Sequence, residues 1–562
     1  MSAPENFWRP RAASLEDPLY YLGNFRTVLS WVYGYHADLL LTDEVERIRA
    51  FQQLPWPSQA LLARLVMRTG DVFRTGKLQY SELECPMDQA TGPLLRGGWL
   101  DSNPLLTLDT LFRLLSRAEC LEAFGARLEN RGVSHKATKK VLYEALADRY
   151  QQADTLANWW PEAPDRVVEL TCSGFFRRLR LMFFGNLRQD WSEFVLAELG
   201  YQNYETVLFS PQSRAFQHRS EVDIYLHLQD CRDRLESGEA AASVWPEIPC
   251  AVTDNPWLES RRGRLLFELG RLAERAGNPD LALQAWRESR HREARLRQLR
   301  LMERRGEYEQ AWALATEAVE DPRTGAESRG LARLLHRLGK KVGAPSGTSS
   351  RPPQIPRLDL CLAKPAASSV EWAVLEHLSE PGAPVFYVEN MLVNGLFALL
   401  CWPALYAPLP GAFFHPFHAA PADLHREDFV SRRSELFEDC LASLDSGLYR
   451  ERILATWAEK QGTASPFLHW SLLTREVIGM ALDCIPAKHL RACFERMLDD
   501  LKTHRSGLPD LVQFRPGRRE YRLIEVKGPG DRLQDHQRQW LEFGMEQGID
   551  LAVCYVTWQD EP

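Results

Sequence analysis

No two of the eleven cysteines in this 562-residue chain stand as C-x-x-C, and their total is odd. A disulfide framework or a zinc ribbon needs clustered, paired cysteines, so the pattern excludes a zinc finger and points to reduced thiols in an intracellular protein. A positive excess is missing too, because 68 Lys and Arg face 76 Asp and Glu for a net charge of −8. Binding to any polyanion must therefore come from local patches. The start of the chain carries no basic segment followed by an apolar run, which argues against secretion and for a cytoplasmic protein. Between Asn390 and Ala422 there is no Asp, Glu, Lys or Arg. The run is nevertheless too short for a membrane span, since Pro403, Pro408 and Pro410 break it and a spanning helix needs about 20 apolar residues. It reads as a buried helix followed by a loop. A Walker loop, a G-x-G-x-x-G after a strand and a G-x-S-x-G are all lacking, so nucleotide-driven and serine-hydrolase chemistries have no footing.

What is present is 45% hydrophobic and 26% charged, the composition of a folded multidomain chain. Residues 1–104 carry helical apolar spacing at Tyr20–Val32 and Leu61–Val66, and Val72 to Tyr80 alternates like a short strand or wing, so a winged-helix-like unit is expected. Residues 105–155 hold two short helices around Asn130-Arg131-Gly132, with Lys136, Lys139 and Lys140 at the start of the second. This resembles a SAP-type module, in which helix N-termini and lysines contact phosphates; a solvated helical hairpin is the alternative. Residues 156–342 read as helical throughout, and Ala285-Trp286 is echoed by Ala311-Trp312, each after a Gly turn. That self-similarity resembles tetratricopeptide-like helix pairs. Within it, positions 287–305 carry eight arginines against three acids, either a solvated face or a phosphate-facing one. The Gly-, Ser- and Pro-rich stretch 343–356 is expected to be a linker, and 357–562 a final domain mixing helices with strands.

The chemistry concentrates there. Leu511 to Phe514 and Tyr521 to Val526 alternate around Pro516-Gly517-Arg518, which predicts two strands joined by a hairpin. Asp510 opens the first and Glu525 lies near the end of the second, so the two carboxylates converge, and Lys527 shares the face of Glu525. Two carboxylates and a lysine on one surface suit a metal-dependent phosphodiesterase. Hard oxygen ligands fit Mg²⁺ or Mn²⁺, two ions for an in-line displacement, while the lysine orients or helps deprotonate the attacking water. Residues 501–540 carry nine Lys and Arg against five Asp and Glu, a locally basic mouth in an acidic chain. Lys502, Arg505 and Arg532 are its candidate phosphate contacts. His415 and His418 have a spacing open to a transition metal, but with no Cys or acid to complete the set a packing role is favoured.

Pro509-Asp510 followed by Glu525-Val526-Lys527 resembles the PD-(D/E)xK nuclease motif, and the continuation through Asp531, Leu533, Gln537 and Trp540 resembles its VRR-NUC branch. The order of parts, SAP-like module, helical repeat and nuclease, is similar to that of the Fanconi-associated nuclease family. The resemblance implies a mainly α N-terminal region, an α/β nuclease domain, and a structure-selective DNA nuclease that cuts near 5′ flaps, degrades 5′ to 3′ and serves interstrand-crosslink repair. It implies that Asp510 and Glu525 are metal ligands, that Val526 lends its carbonyl, that Lys527 serves the water and that Gln537 gives polar support. It also implies a further acidic ligand on an upstream helix, for which Glu389 is the candidate. Vertebrate members begin with a ubiquitin-binding zinc finger, so a chain without C-x-x-C fits a bacterial-type member, nucleoid-associated in a bacterium and nuclear only in a eukaryote. Expected partners are branched DNA with its 5′ flap and duplex arms, engaged by a monomer or weak dimer. The alternatives are a Holliday-junction resolvase and a DNA-binding scaffold with a degenerate nuclease fold.

Overall fold

The computed structural model describes residues 18–189, 203–251, 255–344, 354–364 and 369–559. The chain divides into two compact units, one formed by 1–202 with 216–222 and the other by 203–215 with 223–562.

In the first unit the helical spacing seen in the sequence becomes the helix Tyr20–Tyr35, which buries Tyr21, Leu22, Phe25, Val28, Leu29 and Val32. Phe25 sits between Phe51 and Phe176, with ring centroids 5.3 and 5.4 Å away. The expected wing is a strand, β1 (Val72–Arg74), in a small antiparallel sheet with β2 (Leu100–Asp101) and β3 (Val167–Leu170), in the order β1-β3-β2. Here the sequence reading is corrected. Residues 156–184 are not the start of a helical repeat, because β3 closes this sheet and the helix Ser173–Phe184 packs in the same unit. The lysine-bearing hairpin forms as expected from Arg117–Glu129 and Lys139–Ala147 around Gly132 at φ +67°, with Phe124, Leu128, Leu142 and Leu146 inside. Ser116 and Thr138 cap the two helices through their hydroxyls. Of the arginines beside Phe175 and Phe176, Arg178 grips the buried Glu44 at 2.6 Å, where Arg219, from the start of the helix Arg219–Glu236, joins it at 2.5 Å.

In the second unit five helices, Pro256–Arg275, Pro279–Glu288, Ala294–Arg304, Tyr308–Glu320 and Gly325–Val342, follow one another as hairpins. The repeated Ala-Trp has a structural reason. Ala285 and Ala311 are fully buried, Trp286 lies where a Cβ on Gly270 would stand, and Trp312 comes 3.1 Å from where a Cβ on Gly339 would stand. Each tryptophan thus fills the notch left by a glycine on a neighbouring helix. The linker at 343–356 falls mostly outside the described residues.

The remainder is built on a five-stranded sheet in the order β4-β8-β7-β6-β5, with β4 (Arg357–Leu362), β5 (Val385–Tyr387), β6 (Leu511–Arg515), β7 (Glu520–Lys527) and β8 (Leu551–Trp558). β4, β8 and β7 run parallel, and β7, β6 and β5 antiparallel. The hairpin predicted around Pro516-Gly517-Arg518 is β6–β7. Strand alternation sends Leu511, Ile524 and Val526 to one face, under Val374 of the helix Val370–Leu378. Val512, Phe514, Tyr521 and Leu523 go to the other, which is covered by a large helical core. The charge-free run forms the buried helix Leu392–Leu400 inside that core. Among the described residues no helix is long and apolar enough to cross a membrane.

Candidate active site

The register sets the chemistry. Leu511 pairs with Ile524, so one step further out Asp510 stands across from Glu525, on the face shared with Val512 and Leu523. Oδ2 of Asp510 accepts the Val526 amide at 2.8 Å, which fixes the aspartate against the partner strand. Lys527, two residues beyond Glu525 and therefore on its face, brings Nζ to 2.8 Å from Glu525 Oε1. All three are buried, Glu525 to 1% exposure. On the other side of β6, the Val388 amide donates to the Asp510 carbonyl at 2.8 Å, which sets Glu389 next in line at the same end of the sheet. Glu389 is in a turn before the helix Leu392–Leu400, exposed at the surface, rather than on that helix as expected. An apolar helix has no polar environment to offer a carboxylate, and the turn ahead of it does.

Residues that the motif did not flag hold these groups in place. The Tyr387 hydroxyl donates to Glu389. Asn390 takes φ +51° and accepts the Leu508 amide through Oδ1 at 3.0 Å, while Asn394 Nδ2 donates to the carbonyls of Asn390 and Arg505 at 2.6 and 2.8 Å. Two asparagines therefore bind the Glu389 turn to the loop that delivers Pro509-Asp510. An asparagine directly after Glu389 was the available sequence signal, since Asn tolerates left-handed backbone. Gly507, at φ +87°, lies against His536, where a Cβ would come within 2.5 Å of the ring and 2.9 Å of the backbone. Glu371, at the start of the helix Val370–Leu378, is a further acid whose charge acts on Asp510.

Burial, then the neighbouring carboxylates, sets the electrostatics. Desolvation pushes Asp510 up to about 6, with the Val526 hydrogen bond opposing it and Glu389 adding to it. Desolvation and the charge of Asp510 push Glu525 up to about 7, against the attraction of Lys527. The Lys527 ammonium is close to Oε1, yet neither Glu525 oxygen receives a hydrogen bond of good geometry, and Oε2 faces no donor. Two adjoining buried carboxylates with one lysine, close to Glu525, lack positive charge, and a hard divalent cation supplies what is missing. The donor set thus fits such an ion, although no group of three or more His, Cys, Asp or Glu side chains among the described residues is already gathered around one point.

The other sequence candidates fall in several places. Gln537 turns its Oε1 back to the Gln534 amide at 3.0 Å, capping the helix Asp535–Glu546. Lys502 and Arg532 are exposed and Arg505 is half-buried. Lys139 donates to the Leu115 carbonyl at 2.6 Å, Lys140 lies 3.8 Å from Glu144, and Lys136 is exposed. His415 is buried and His418 half-buried, their rings tilted against each other with centroids 4.1 Å apart, and desolvation pushes His418 down to about 4.

An αβ sheet with paired carboxylates and a lysine at the ends of adjacent strands defines a nuclease of the VRR-NUC type. The VRR-NUC domain model matches residues 445–558, the "FAN1, HTH domain" model 19–101 and the "Fanconi anemia-associated nuclease SAP domain" model 105–159. The chain is 51% identical to a Fanconi-associated nuclease 1 homolog of Pseudomonas aeruginosa over 97% of each chain. It is 24% identical to the Homo sapiens Fanconi-associated nuclease 1, covering 96% of this chain and 62% of that one. Crystal structures of paFAN1 bound to 5′-flap DNA with a gap, with flaps of two and one nucleotides, superpose with TM-scores of 0.84 and 0.82 at 50% identity, covering 98% and 97% of this chain and all of theirs. The chain belongs to the Fanconi-associated nuclease family and is a DNA nuclease.

Proposed function

We propose that the protein is a divalent-metal-dependent, structure-selective nuclease that cuts branched DNA near a 5′ flap, degrades 5′ to 3′, and serves DNA repair including the removal of interstrand crosslinks. The observation that carries the reading is the buried opposition of Asp510 and Glu525 with Lys527 beside them. Asp510, Glu525, the Val526 carbonyl and Glu389 would hold Mg²⁺ or Mn²⁺, two ions in number, which when bound supply Lewis acidity toward the scissile phosphate. Lys527 orients the attacking water and offsets the phosphate charge. Tyr387, held protonated by burial and by the Glu389 carboxylate it donates to, keeps that carboxylate turned toward the site. Lys136, Lys140, Lys502, Arg505 and Arg532 contact phosphates, Lys139 braces its helix, and Gln537 supports the site by capping the helix that follows the motif.

The test is cleavage of end-labelled 5′-flap, 3′-flap, four-way-junction and plain duplex DNA with Mg²⁺ or Mn²⁺, by the wild type and Asp510→Ala. Flap-preferring, metal-dependent cutting that the variant lacks is the expected result. Preferential cutting of the four-way junction would replace the flap reading with a resolvase.

A further inference from the structure

Tryptophan is mostly an interior residue in this chain. Among the described residues only Trp56 and Trp372 leave more than two fifths of their surface in water, at 41% and 49%. Trp372 stands in the first turn of the helix Val370–Leu378, and that turn is one wall of the candidate site. Val370 comes 3.7 Å from where a Cβ on Gly528 would stand, directly after Lys527, and the charge of Glu371 acts on both Asp510 and Tyr387. Val370, Ala373, Val374 and Leu378 pack on the sheet. Helical spacing turns Trp372 to the opposite face, about half a turn from both Val370 and Val374. The indole therefore stands free, one residue from an acid that the catalytic aspartate feels, without being part of the core.

The same helix is unfit to hold a phosphate. Residues 370–378 include no Lys or Arg, and Glu371 and Glu376 flank the tryptophan. A DNA backbone laid against this face would be repelled. What an exposed indole beside carboxylates can take up is an uncharged flat ring, because stacking removes two aromatic faces from water at once. In DNA a base offers its face only where it has lost its place in the duplex, and a 5′ flap supplies such bases at the branch. The two effects act in one direction. The acids push the backbone away from the helix and the ring draws the base toward it, so a strand crossing here is turned base-side to Trp372 and phosphate-side to the cation site.

We infer that Trp372 is a specificity-determining stacking platform, which takes one unpaired base of the strand being cut, near the scissile phosphate, and so sets which phosphate reaches Asp510 and Glu525. This rests on the chain cutting branched DNA, so stacking is read separately from cutting. The fluorescent base 2-aminopurine is placed at successive positions of the flap strand on both sides of the branch, and its emission is followed in Ca²⁺ with the wild type, Trp372→Ala, Trp372→Leu and Trp372→Phe. One position should be quenched by the wild type and by the phenylalanine variant, and by neither of the others. In Mn²⁺, the alanine and leucine variants should lose about tenfold in kcat/KM and spread their cuts over neighbouring phosphates, while phenylalanine stays within about threefold and keeps the cut position. An abasic residue at the quenched position should bring the wild type down to the alanine variant and leave that variant unchanged. Quenching at no position, or equally by Trp372→Ala, would overturn the inference. So would a leucine variant that keeps rate and cut position, or an alanine deficit undiminished wherever the abasic residue is placed. A wild type that quenches the base yet does not cut supports the stacking and refutes the nuclease reading, which keeps the two apart.

Discussion

Replacing Glu525 by Gln should abolish cutting and yet stabilise the metal-free protein at alkaline pH. Glu525 has its carboxyl pushed up to about 7 by burial and by Asp510, from an ordinary value near 4.5. A carboxyl raised in the fold keeps its proton in the native state after the unfolded chain has lost its own. The folded state is therefore penalised progressively as pH rises from about 4.5 to about 7, and fully by pH 8. The displacement corresponds to roughly 3 kcal/mol. The attraction of Lys527 is already contained in that value, so Gln, which mimics the protonated group, should recover most of it. At roughly 2 °C per kcal/mol for a unit of this size, the variant should melt about 5 °C above the wild type at pH 8 in EDTA and level with it at pH 4.5. Manganese at a hundredfold excess over its Kd should raise the wild type by a comparable 2.7 kcal/mol or so, and the variant far less. Calorimetry at the two pH values, with and without metal, reads all four states. A variant no more stable than wild type at pH 8, or a wild type indifferent to Mn²⁺, would refute the claim that this pair is a cation site held short of its counter-charge.

Other outcomes follow from the same geometry. Lys527→Met should lower the single-turnover rate by about 10² to 10⁴ while flap binding in Ca²⁺ stays within a few fold, because the group acts on the reacting water. The acid limb of kcat/KM should fall between pH 7 and 6, where Glu525 and Asp510 take up protons, and raising Mn²⁺ should move that limb to lower pH. Asn394→Ala breaks the link from the Leu392–Leu400 helix to the Arg505 carbonyl, and should cost about 1 to 2 kcal/mol together with a weaker metal response, both read by thermal unfolding across a Mn²⁺ titration. Gly507→Ala meets both a positive φ and the His536 backbone, so a loss of about 1 to 3 kcal/mol in denaturant unfolding is expected.

The β6–β7 hairpin was legible because its signals are local. Alternation, a Pro-Gly turn and two charged residues of one parity decide it within twenty residues, and Asp510, Glu525 and Lys527 come with it. The Ala-Trp repeat was legible for the same reason, though its glycine partners, Gly270 and Gly339, were not, since they lie on other helices. What failed were pairings over long separations. β3 joins strands about 70 and 100 residues earlier, and nothing in Val167 to Leu170 distinguishes it from the surrounding helical pattern. Glu389 was picked out by its place before an apolar run, and that reasoning put it on the helix instead of in the turn. Asn390 and Asn394 hold the turn by bonding backbone atoms of Leu508 and Arg505 more than a hundred residues away, and Tyr387 by a single side-chain bond to Glu389, so none of the three belongs to a motif.

Net charge was the poorest guide, and the structure gives the reason. A count of 68 bases against 76 acids suggests a chain indifferent to DNA. Many of those charges cancel inside the protein: Arg74 is held by Glu119 and Asp165, Arg262 by Glu259 and Glu288, and Arg433 by the fully buried Asp423. Pairs of this kind say nothing about partners, and each acid so used is one fewer to neutralise the surface. At the same time the catalytic sheet concentrates Asp510 and Glu525 beyond what Lys527 can balance, so the site that most needs negative charge to gather a cation contributes to the acidic total. With carboxylates as the proposed metal ligands, a nuclease can thus be acidic overall. Net charge counts paired and unpaired cations alike, whereas affinity for a polyanion depends on the unpaired ones.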